Sequence, residues 1–443
     1  MATVLLACFV LLVALGSFER LAARRARAAV PIRIHVNGTR GKSTVTRLVA
    51  AALREAGVPT VAKVTGASPR LIRPDGSEQP IRRWAPANIR EQAWLLREAR
   101  RAGARALVVE CMAIRPDLQR VSEHEMVRAT VGVITNARLD HGEVMGTRVE
   151  DVAQSLANAI PRGGVLVTGD GRFADLFAAR CAALGTRLVI ATQEMAGGDP
   201  STRFARSGQG GGEHGRASVN MWDPASLRLR SGQAAGTEWL REDLAVALAV
   251  TRELGIKDEV AMSGMLEAAA DPGAVKSGNA TVGSREVAWI DATAANDPES
   301  LDLLATAPLA GTPTLATPPP WPPVVVYNHR GDRADRLRSF ARHSVVFRSG
   351  VAILLTGDRP ALTLAAAVRR QCPGATVSFV PSRHLAAQIA REATDRAARR
   401  IVFCGNTRGW ANPIATDPST RFGRPAQAAT NFDQRPMTND HDQ

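Results

Sequence analysis

Residues 36–44 read VNGTRGKST, and no other segment limits the possible folds of this chain as strongly. It joins a short apolar run, Ile32 to Val36, to a stretch with helical spacing in which Val45, Leu48, Val49, Ala52 and Leu53 share one face. A glycine turn at a strand-to-helix junction leaves backbone N–H groups unobstructed and points a helix N-terminus at its contents, which favours an anion. Gly38 and Gly41 supply the bare backbone, Lys42 a cation and Ser43 a hydroxyl suited to magnesium, the set that a nucleoside triphosphate needs. Lysine occurs only at 42, 63, 257 and 276, so Lys42 is not part of a lysine-rich background. The general pattern GxxxxGK[ST] would require glycine where Val36 stands; the form here is shorter, with Gly38 three residues before Gly41.

At 443 residues the chain exceeds one compact core and should divide into two or three domains. Its formal charge of +14 comes from scattered arginines without an aromatic-interleaved basic stripe, which argues against nucleic acid. A polyanionic ligand or an anionic membrane surface accounts for the charge as well. Ala2 to Phe18 is an uncharged apolar run followed by Arg20, Arg24, Arg25 and Arg27. A cleaved signal normally carries its positive charge before the apolar core, so the reading is a single N-terminal membrane span with the body cytoplasmic. The run is near the short limit for crossing a bilayer, about 17 residues, and a buried core helix is the alternative. Cys8, Cys111, Cys181, Cys372 and Cys404 show neither paired nor metal-ligand spacing, so all five are expected reduced and packed.

From residue 31 to about 190, strand candidates (Arg105 to Glu110, Thr130 to Thr135, Val165 to Thr168, Arg187 to Ala191) alternate with helical stretches such as Asn88 to Ala102 and Val149 to Ala159. Such alternation predicts a parallel sheet covered by helices, with ligands at the carboxyl ends of the strands. Ala196 to Gly236 is Gly-, Ser-, Arg- and Gln-rich and repeats RSGQ; DPSTRF at Asp199 recurs at Asp417. These segments resemble inserted low-complexity sequence. Helical patterns resume at Trp239 to Leu254 and Asp258 to Ala270, DPG at Asp271 to Gly273 suggests a hinge, and a second α/β alternation follows to about 412. Its strand candidates are Val287 to Asp291, Val324 to Tyr327, Val351 to Thr356, Thr376 to Val380 and Arg400 to Cys404. The expected division is 1–30 membrane anchor and basic flank, 31–273 ATP-binding domain with the 196–236 insertion, 274–412 second domain, and 413–443 disordered tail.

Three further polar clusters sit at strand ends: Glu110; Asn136, Asp140 and His141; and Asp291, Asn296 and Asp297. A carboxylate in such a place serves equally as a helix cap. Beside a phosphate loop, however, Ser43 and Glu110 have the hard oxygens that magnesium prefers. His141 could hold a second metal or an acyl phosphate, or simply pack in the core.

In order, NGTRGKSTVTRL, KVTGASPR (63–70), ANIREQ (87–92), ECMAIRPDLQ (110–119), TNARLDHGEVMG (135–146), DPGAV (271–275), AANDPES (294–300), YNHRGDRADR (327–336) and CGNTRG (404–409) resemble the ATP-dependent ligase subunit of bacterial poly-γ-glutamate synthase, the CapB or PgsB type. That family is itself similar to Mur ligases and folylpolyglutamate synthases. The resemblance implies an α/β fold: a P-loop, parallel-sheet, Mur-ligase-like central domain plus a second Rossmann-like α/β C-terminal domain, preceded by an N-terminal membrane segment. It implies an amide ligase that activates a γ-carboxylate with ATP and Mg²⁺ as an acyl phosphate, with glutamate and growing poly-γ-glutamate as substrates and membrane subunits as partners. By the same resemblance Gly38, Thr39, Arg40, Gly41, Lys42, Ser43 and Thr44 cradle ATP, Ser43 and Glu110 hold Mg²⁺, and His141 serves a second metal. Lys42, Asp140 and His141 are the catalytic candidates. Asp291, Asn296 and Asp297 would reach the nucleotide from the second lobe. Asn328, Arg330, Asp332 and Arg333 would bind nucleotide or a glutamate carboxylate.

The chain departs from the relatives' pattern in places. DHxD is here Asp140, His141, Gly142, Glu143, and no lysine lies between 64 and 256 to act as the carbamylated residue of many Mur ligases. With the loop at 38, no UDP-sugar domain is expected before it. Where relatives begin a helix with an Asn near ATP, Glu242 and Asp243 stand, so either the alignment shifts there or nucleotide affinity suffers. A folylpolyglutamate synthase-like ligase, and an inactive nucleotide-binding scaffold of a capsule export complex, are the alternatives.

Overall fold

The computed structural model describes residues 1–66, 69–83, 87–192, 238–269, 275–282, 285–293, 295, 297–306 and 322–406. The expected insertion, the hinge at 271–273, the tail and Asn296 lie outside the described residues.

The chain opens with α1 (Ala2–Ala29), whose residues as far as Leu21 are exposed apolar side chains apart from a few polar ones. The helix is long and apolar enough to cross a membrane. Its last turns differ: Ala26 is buried, as is Val30 just beyond the helix, in one apolar cluster with Leu95, Leu96 and Ala99. Cys8 is exposed on this helix while the other four cysteines are buried thiols. The expectation that all five are packed therefore fails at Cys8, because the helix around it has no protein neighbour.

The first sheet runs β4-β3-β2-β5-β1-β6-β7-β8, from β1 (Ile32–Asn37), β2 (Thr60–Val64), β3 (Arg70–Ile72), β4 (Glu78–Pro80), β5 (Ala106–Glu110), β6 (Val131–Ile134), β7 (Val165–Thr168) and β8 (Arg187–Ile190). Only the β2-β3 and β3-β4 pairs are antiparallel. The helices of this half are α2 (Lys42–Glu55), α3 (Glu91–Arg101), α4 (Pro116–Val121), α5 (Gly142–Met145), α6 (Val149–Leu156), α7 (Ala174–Leu184), α8 (Glu238–Glu253) and α9 (Asp258–Leu266). A π-helical turn, Ser122–Val127, extends α4.

Strands covered on both faces read as near-continuous apolar runs, as β6 and β5 before Glu110 do, whereas β1 alternates Ile32, Ile34 and Val36 with Arg33, His35 and Asn37. On one face Ile34, Val36, Ala106 and Val108 pack under Val45, Leu48 and Val49 of α2 and Leu244 and Leu248 of α8. On the other, Leu107 and Val109 meet α3, while Ile134 and Leu166 meet α6 and α7. Each fully buried Leu or Val contributes about 1.5–3 kcal/mol, so this double cover fixes β1 at the centre. Register then decides the site. Val36 pairs with Glu110 and Asn37 with Ile134, so the ends of β5 and β6 flank the turn that follows β1.

The second sheet runs β13-β12-β11-β14-β10-β9, from β9 (Lys276–Val282), β10 (Arg285–Asp291), β11 (Val324–His329), β12 (Ala352–Gly357), β13 (Thr376–Phe379) and β14 (Arg400–Gly405). It is parallel except for the β9-β10 edge. Its helices are α10 (Pro298–Thr306), α11 (Ala334–His343), α12 (Val345–Ser349), α13 (Leu362–Gln371) and α14 (Ser382–Asp395). Leu301, Phe340, Phe347 and Val368 cover one face, and Leu385 and Ile389 of α14 the other. The two α/β sheets and the apolar leading helix agree with the expected fold class; β2 to β4 and β9 had not been anticipated.

Candidate active site

The loop between β1 and α2 sits at the carboxyl edge of the first sheet, where a parallel sheet leaves a crevice between strands whose connections leave in opposite directions. Its shape depends on two glycines with positive φ, Gly38 at 129° and Gly41 at 80°, a region L side chains avoid. A Cβ on Gly38 would lie 2.0 Å from Thr135 Oγ1, and one on Gly41 2.0 Å from Asp243 Oδ1, so side chains are excluded by contact as well as by dihedral. Gly41 caps α2, and the first turn of that helix faces a cleft of about 570 Å³.

The loop is braced by β6. Thr39 Oγ1 donates to Asn136 Oδ1 at 2.8 Å, the Arg40 N–H to the same oxygen at 3.0 Å, and the Thr39 N–H to the Asn136 carbonyl at 3.0 Å. Lys42 Nζ donates to the Gly38 and Thr39 carbonyls at 2.7 and 3.2 Å, holding the ammonium inside the loop where a phosphate would lie. Burial lowers its pKa from the ordinary lysine value, with Glu110 opposing. Ser43 Oγ donates to Glu110 Oε2 at 2.8 Å, and that oxygen also accepts the Thr65 N–H at 2.6 Å. Two buried hard-oxygen donors in contact, with room beyond them, fit a divalent cation that takes few protein ligands and completes its shell with phosphate and water. No cluster of three or more His, Cys, Asp or Glu is found among the described residues, which such an ion does not need.

The second lobe closes on this loop through charge. Arg40 Nε donates to Asp297 Oδ2 at 2.6 Å and its Nη2 to Asp140 Oδ2 at 3.1 Å. Burial alone would lower the Arg40 pKa, but Asp140 and Asp297 outweigh it and raise it. Asp140 is driven up by burial, yet Arg40 and His141 bring it below the usual carboxylate range. Arg138 donates to Ser300 Oγ at 3.0 Å and to Glu242 Oε2 at 3.1 Å. His141 occupies the left-handed region at φ 50°, with Nδ1 3.3 Å from Arg333 Nη1 and 3.5 Å from Glu143 Oε1. Burial lowers its pKa; Asp140 raises it and Arg333 lowers it. The metal role expected of His141 would fall to Nε2, which lies 3.8 Å from Asp140 Oδ1, since Arg333 stands against Nδ1.

The cleft wall therefore unites Gly38 to Thr44, Glu110, Asp140, His141 and, from the second lobe, Arg333, with Asp297 behind Arg40. Asp291, Asn328 and Arg330 do not line it. Asp291 accepts from Thr293 Oγ1 at 2.7 Å, closing the turn after β10. Asn328 accepts the Asn406 N–H and side-chain amide, joining β11 to β14. Arg330 pairs with exposed Asp332. Sequence reasoning gave no role to Arg138, which bridges both lobes. A run of three charged or amide side chains after a strand, Asn136, Arg138 and Asp140, was the available signal. Asp243 sits against Gly41 and shares a hydrogen bond with Thr44; burial, aided by Glu242, pushes its carboxyl up to about 8. Burial thus favours its neutral form, which lessens the expected clash with phosphate, while Glu242 on the same cleft is met by Arg138 at 3.1 Å.

Residues 36–194 match the Mur ligase middle domain, and residues 279–420 match the poly-gamma-glutamate synthase CapB C-terminal domain. The chain is 32% identical over 410 residues to the capsule biosynthesis protein CapB of Bacillus anthracis, spanning 92% of this chain and 80% of that protein. The chain belongs to the poly-gamma-glutamate synthase CapB family. It is also 31% identical over 414 residues to PGA synthase CapB of Bacillus subtilis strain 168, spanning 93% of this chain and 95% of that protein. In fold, this CapB-family chain is similar to a bifunctional folylpolyglutamate synthase/dihydrofolate synthase from Yersinia pestis solved with AMPPNP and a manganese ion. The TM-score is 0.53 at 18% identity, covering 88% of this chain and 90% of that one.

Proposed function

We propose that this CapB-family chain is an ATP-dependent ligase that builds poly-γ-glutamate at a membrane, with residues 31–273 and 274–412 as its two catalytic lobes. The observation that carries the reading is the braced glycine loop, with Lys42 turned into it and Ser43 against Glu110 at 2.8 Å, in a chain that matches CapB proteins over nine-tenths of its length. A carboxylate is a poor electrophile because it is anionic, and transfer of the ATP γ-phosphoryl group gives it a leaving group. The amine of a second glutamate then attacks the acyl carbon; the C–N bond forms, the C–O bond to phosphate breaks, and the amine loses a proton. No protein nucleophile is required. Lys42 and the loop N–H groups stabilise charge on the phosphates. Ser43 and Glu110 would hold Mg²⁺, which when bound neutralises phosphate charge. Asp140 and Asp297 orient Arg40 over the loop, and Arg333 supplies a cation from the second lobe suited to a substrate carboxylate. The leading helix would seat the chain in the cell membrane beside partner subunits, with both lobes cytoplasmic.

The test is ADP release by membranes containing the chain and its partner subunits, with D- and L-glutamate supplied separately and Mg²⁺ present. Glutamate-dependent release that disappears in Lys42→Ala is expected. Stimulation by folate instead would assign folylpolyglutamate synthesis, nucleotide binding without turnover would leave a scaffold, and full ligation by Lys42→Ala would remove the site.

A further inference from the structure

A second cavity, of about 600 Å³, opens at the opposite edge of the first sheet, lined by Arg33, Arg128 and Arg162 together with Glu123, His124 and Glu125. This edge holds the amino ends of β1, β6 and β7, so it faces away from the phosphate loop and lies beside the end of α1. The junction is rigid. Arg27 Nη1 donates to the Met126 carbonyl at 3.1 Å, and Arg33 Nη1 donates to the Val30 and Pro31 carbonyls at 2.8 and 3.1 Å, while its Nε reaches the Arg128 carbonyl at 2.9 Å. With Ala26 and Val30 buried against α3, the helix leaves the body in a fixed direction.

Residues 2–21 of α1 rise about 30 Å at 1.5 Å per residue, the thickness of a bilayer's hydrocarbon core. The body then begins at headgroup depth, and what faces the headgroups is arginine. Burial lowers the pKa of His124; Glu123 opposes this, and Arg162, Arg180 and Arg120 reinforce it. Two acids line the cavity as well. Glu123 is buried and engaged by His35 at 2.8 Å, and exposed Glu125 stands 3.9 Å from Arg128. Arg162 is exposed and has no ion-pair partner among the described residues. A cationic hollow beside a membrane-length helix has unmet demand for an anion at the depth where lipid phosphates lie.

We propose that the cavity at the foot of α1 binds the headgroup of an anionic phospholipid in the bilayer that α1 enters. The assignment rests on the membrane reading of that helix given above. It would fix the rotation of the body about α1 as well as its depth, since the cavity lies on one side of the helix only.

The full chain is reconstituted in phosphatidylcholine nanodiscs carrying trace spin-labelled phosphatidylglycerol or spin-labelled phosphatidylcholine, and the motionally restricted fraction of each is measured. Wild type should restrict phosphatidylglycerol severalfold more strongly. A basic side chain near the surface is worth roughly fivefold in such attraction, so Arg162→Gln should remove most of the selectivity and Arg128→Gln with Arg162→Gln should abolish it. Arg162→Gln breaks no hydrogen bond among the described residues and keeps the test independent of folding. Selectivity unchanged in the double variant overturns the proposal. So does equal restriction of the two lipids by wild type together with saturable binding of inorganic phosphate that the double variant loses, which would assign a free-phosphate site. A chain that enters no nanodisc overturns the membrane reading and the lipid site together, whereas incorporation without selectivity overturns the lipid site alone.

Discussion

Asp243 couples folding to protonation at the phosphate loop. Its carboxyl is 4% exposed, lies beside Gly41, and titrates at about 8 in the fold against an ordinary value of 3.8. Between these values the folded chain keeps a proton that the unfolded chain has released. Stability therefore falls as pH rises from about 4 to about 8 and is unaffected by this group outside that window. At pH 7 the difference from 3.8 is roughly three pH units, which at about 1.4 kcal/mol per unit is on the order of 4 kcal/mol. Arg138 and Thr44, which favour the ionised form, are already included in the shift. Asp243→Asn retains the shape and cannot ionise, so it should gain little stability near pH 4 and several kcal/mol near pH 8. Urea unfolding of the full chain in detergent micelles, wild type against variant across this range, measures the difference directly. The same substitution should make ATP binding insensitive to pH, while wild type loses about tenfold or more as the carboxylate ionises beside the phosphates, a shift of one pH unit or more in linkage. A stability difference that stays constant from pH 4 to pH 8 would refute the reasoning.

Glu110→Gln keeps an acceptor for Ser43 and Thr65 but removes the charge; the Mg²⁺ concentration for half-maximal ADP release should rise about tenfold to a hundredfold, and an unchanged Mg²⁺ dependence would exclude Glu110 from the metal site. Asp297→Asn retains an acceptor for the Ser300 N–H at 2.8 Å but weakens the 2.6 Å pair with Arg40. Loss of a buried pair's partner costs about 3–5 kcal/mol, so the lobes should separate, seen as a larger radius of gyration in X-ray scattering, and an identical scattering curve would show that this pair does not hold them.

What could be read from the chain beforehand depended on whether the signal was local. Gly38, Gly41, Lys42 and Ser43 lie within six positions, the runs that became β5, β6 and β7 are apolar and almost wholly buried, and β1 has an apolar residue at every second position, so loop and central sheet were legible. Strand β2 was not, because Lys63 interrupts its apolar pattern. That ammonium is fully buried and held by Glu91 Oε2 at 2.9 Å, a partner 28 positions away that no periodicity reveals. The polar edge β9, with only Val282 of its residues buried, alternates small Gly278 and Ala280 with exposed Asn279 and Thr281, too little apolar surface to recognise. The same limit applies at the site: Arg40 meets Asp297 across 257 positions, and Arg138 meets Ser300 across 162. Asp297 was anticipated from its cluster at a strand end and given its role by resemblance, while Arg138 had only the polar run with Asn136 and Asp140 to single it out.

Strand β1 connects the foot of the leading helix to the glycine turn, and its six residues extend about 20 Å at 3.3 Å each. With the helix seated as proposed, that strand acts as a pillar: chemistry takes place at its top, one sheet-width above the lipid surface. Product emerging from the crevice must travel back down the outside of the lobe to reach anything embedded in the bilayer. The first several units of polymer would thus have to be made before a transporting neighbour could grip the end, which gives short chains a reason to stay with the enzyme.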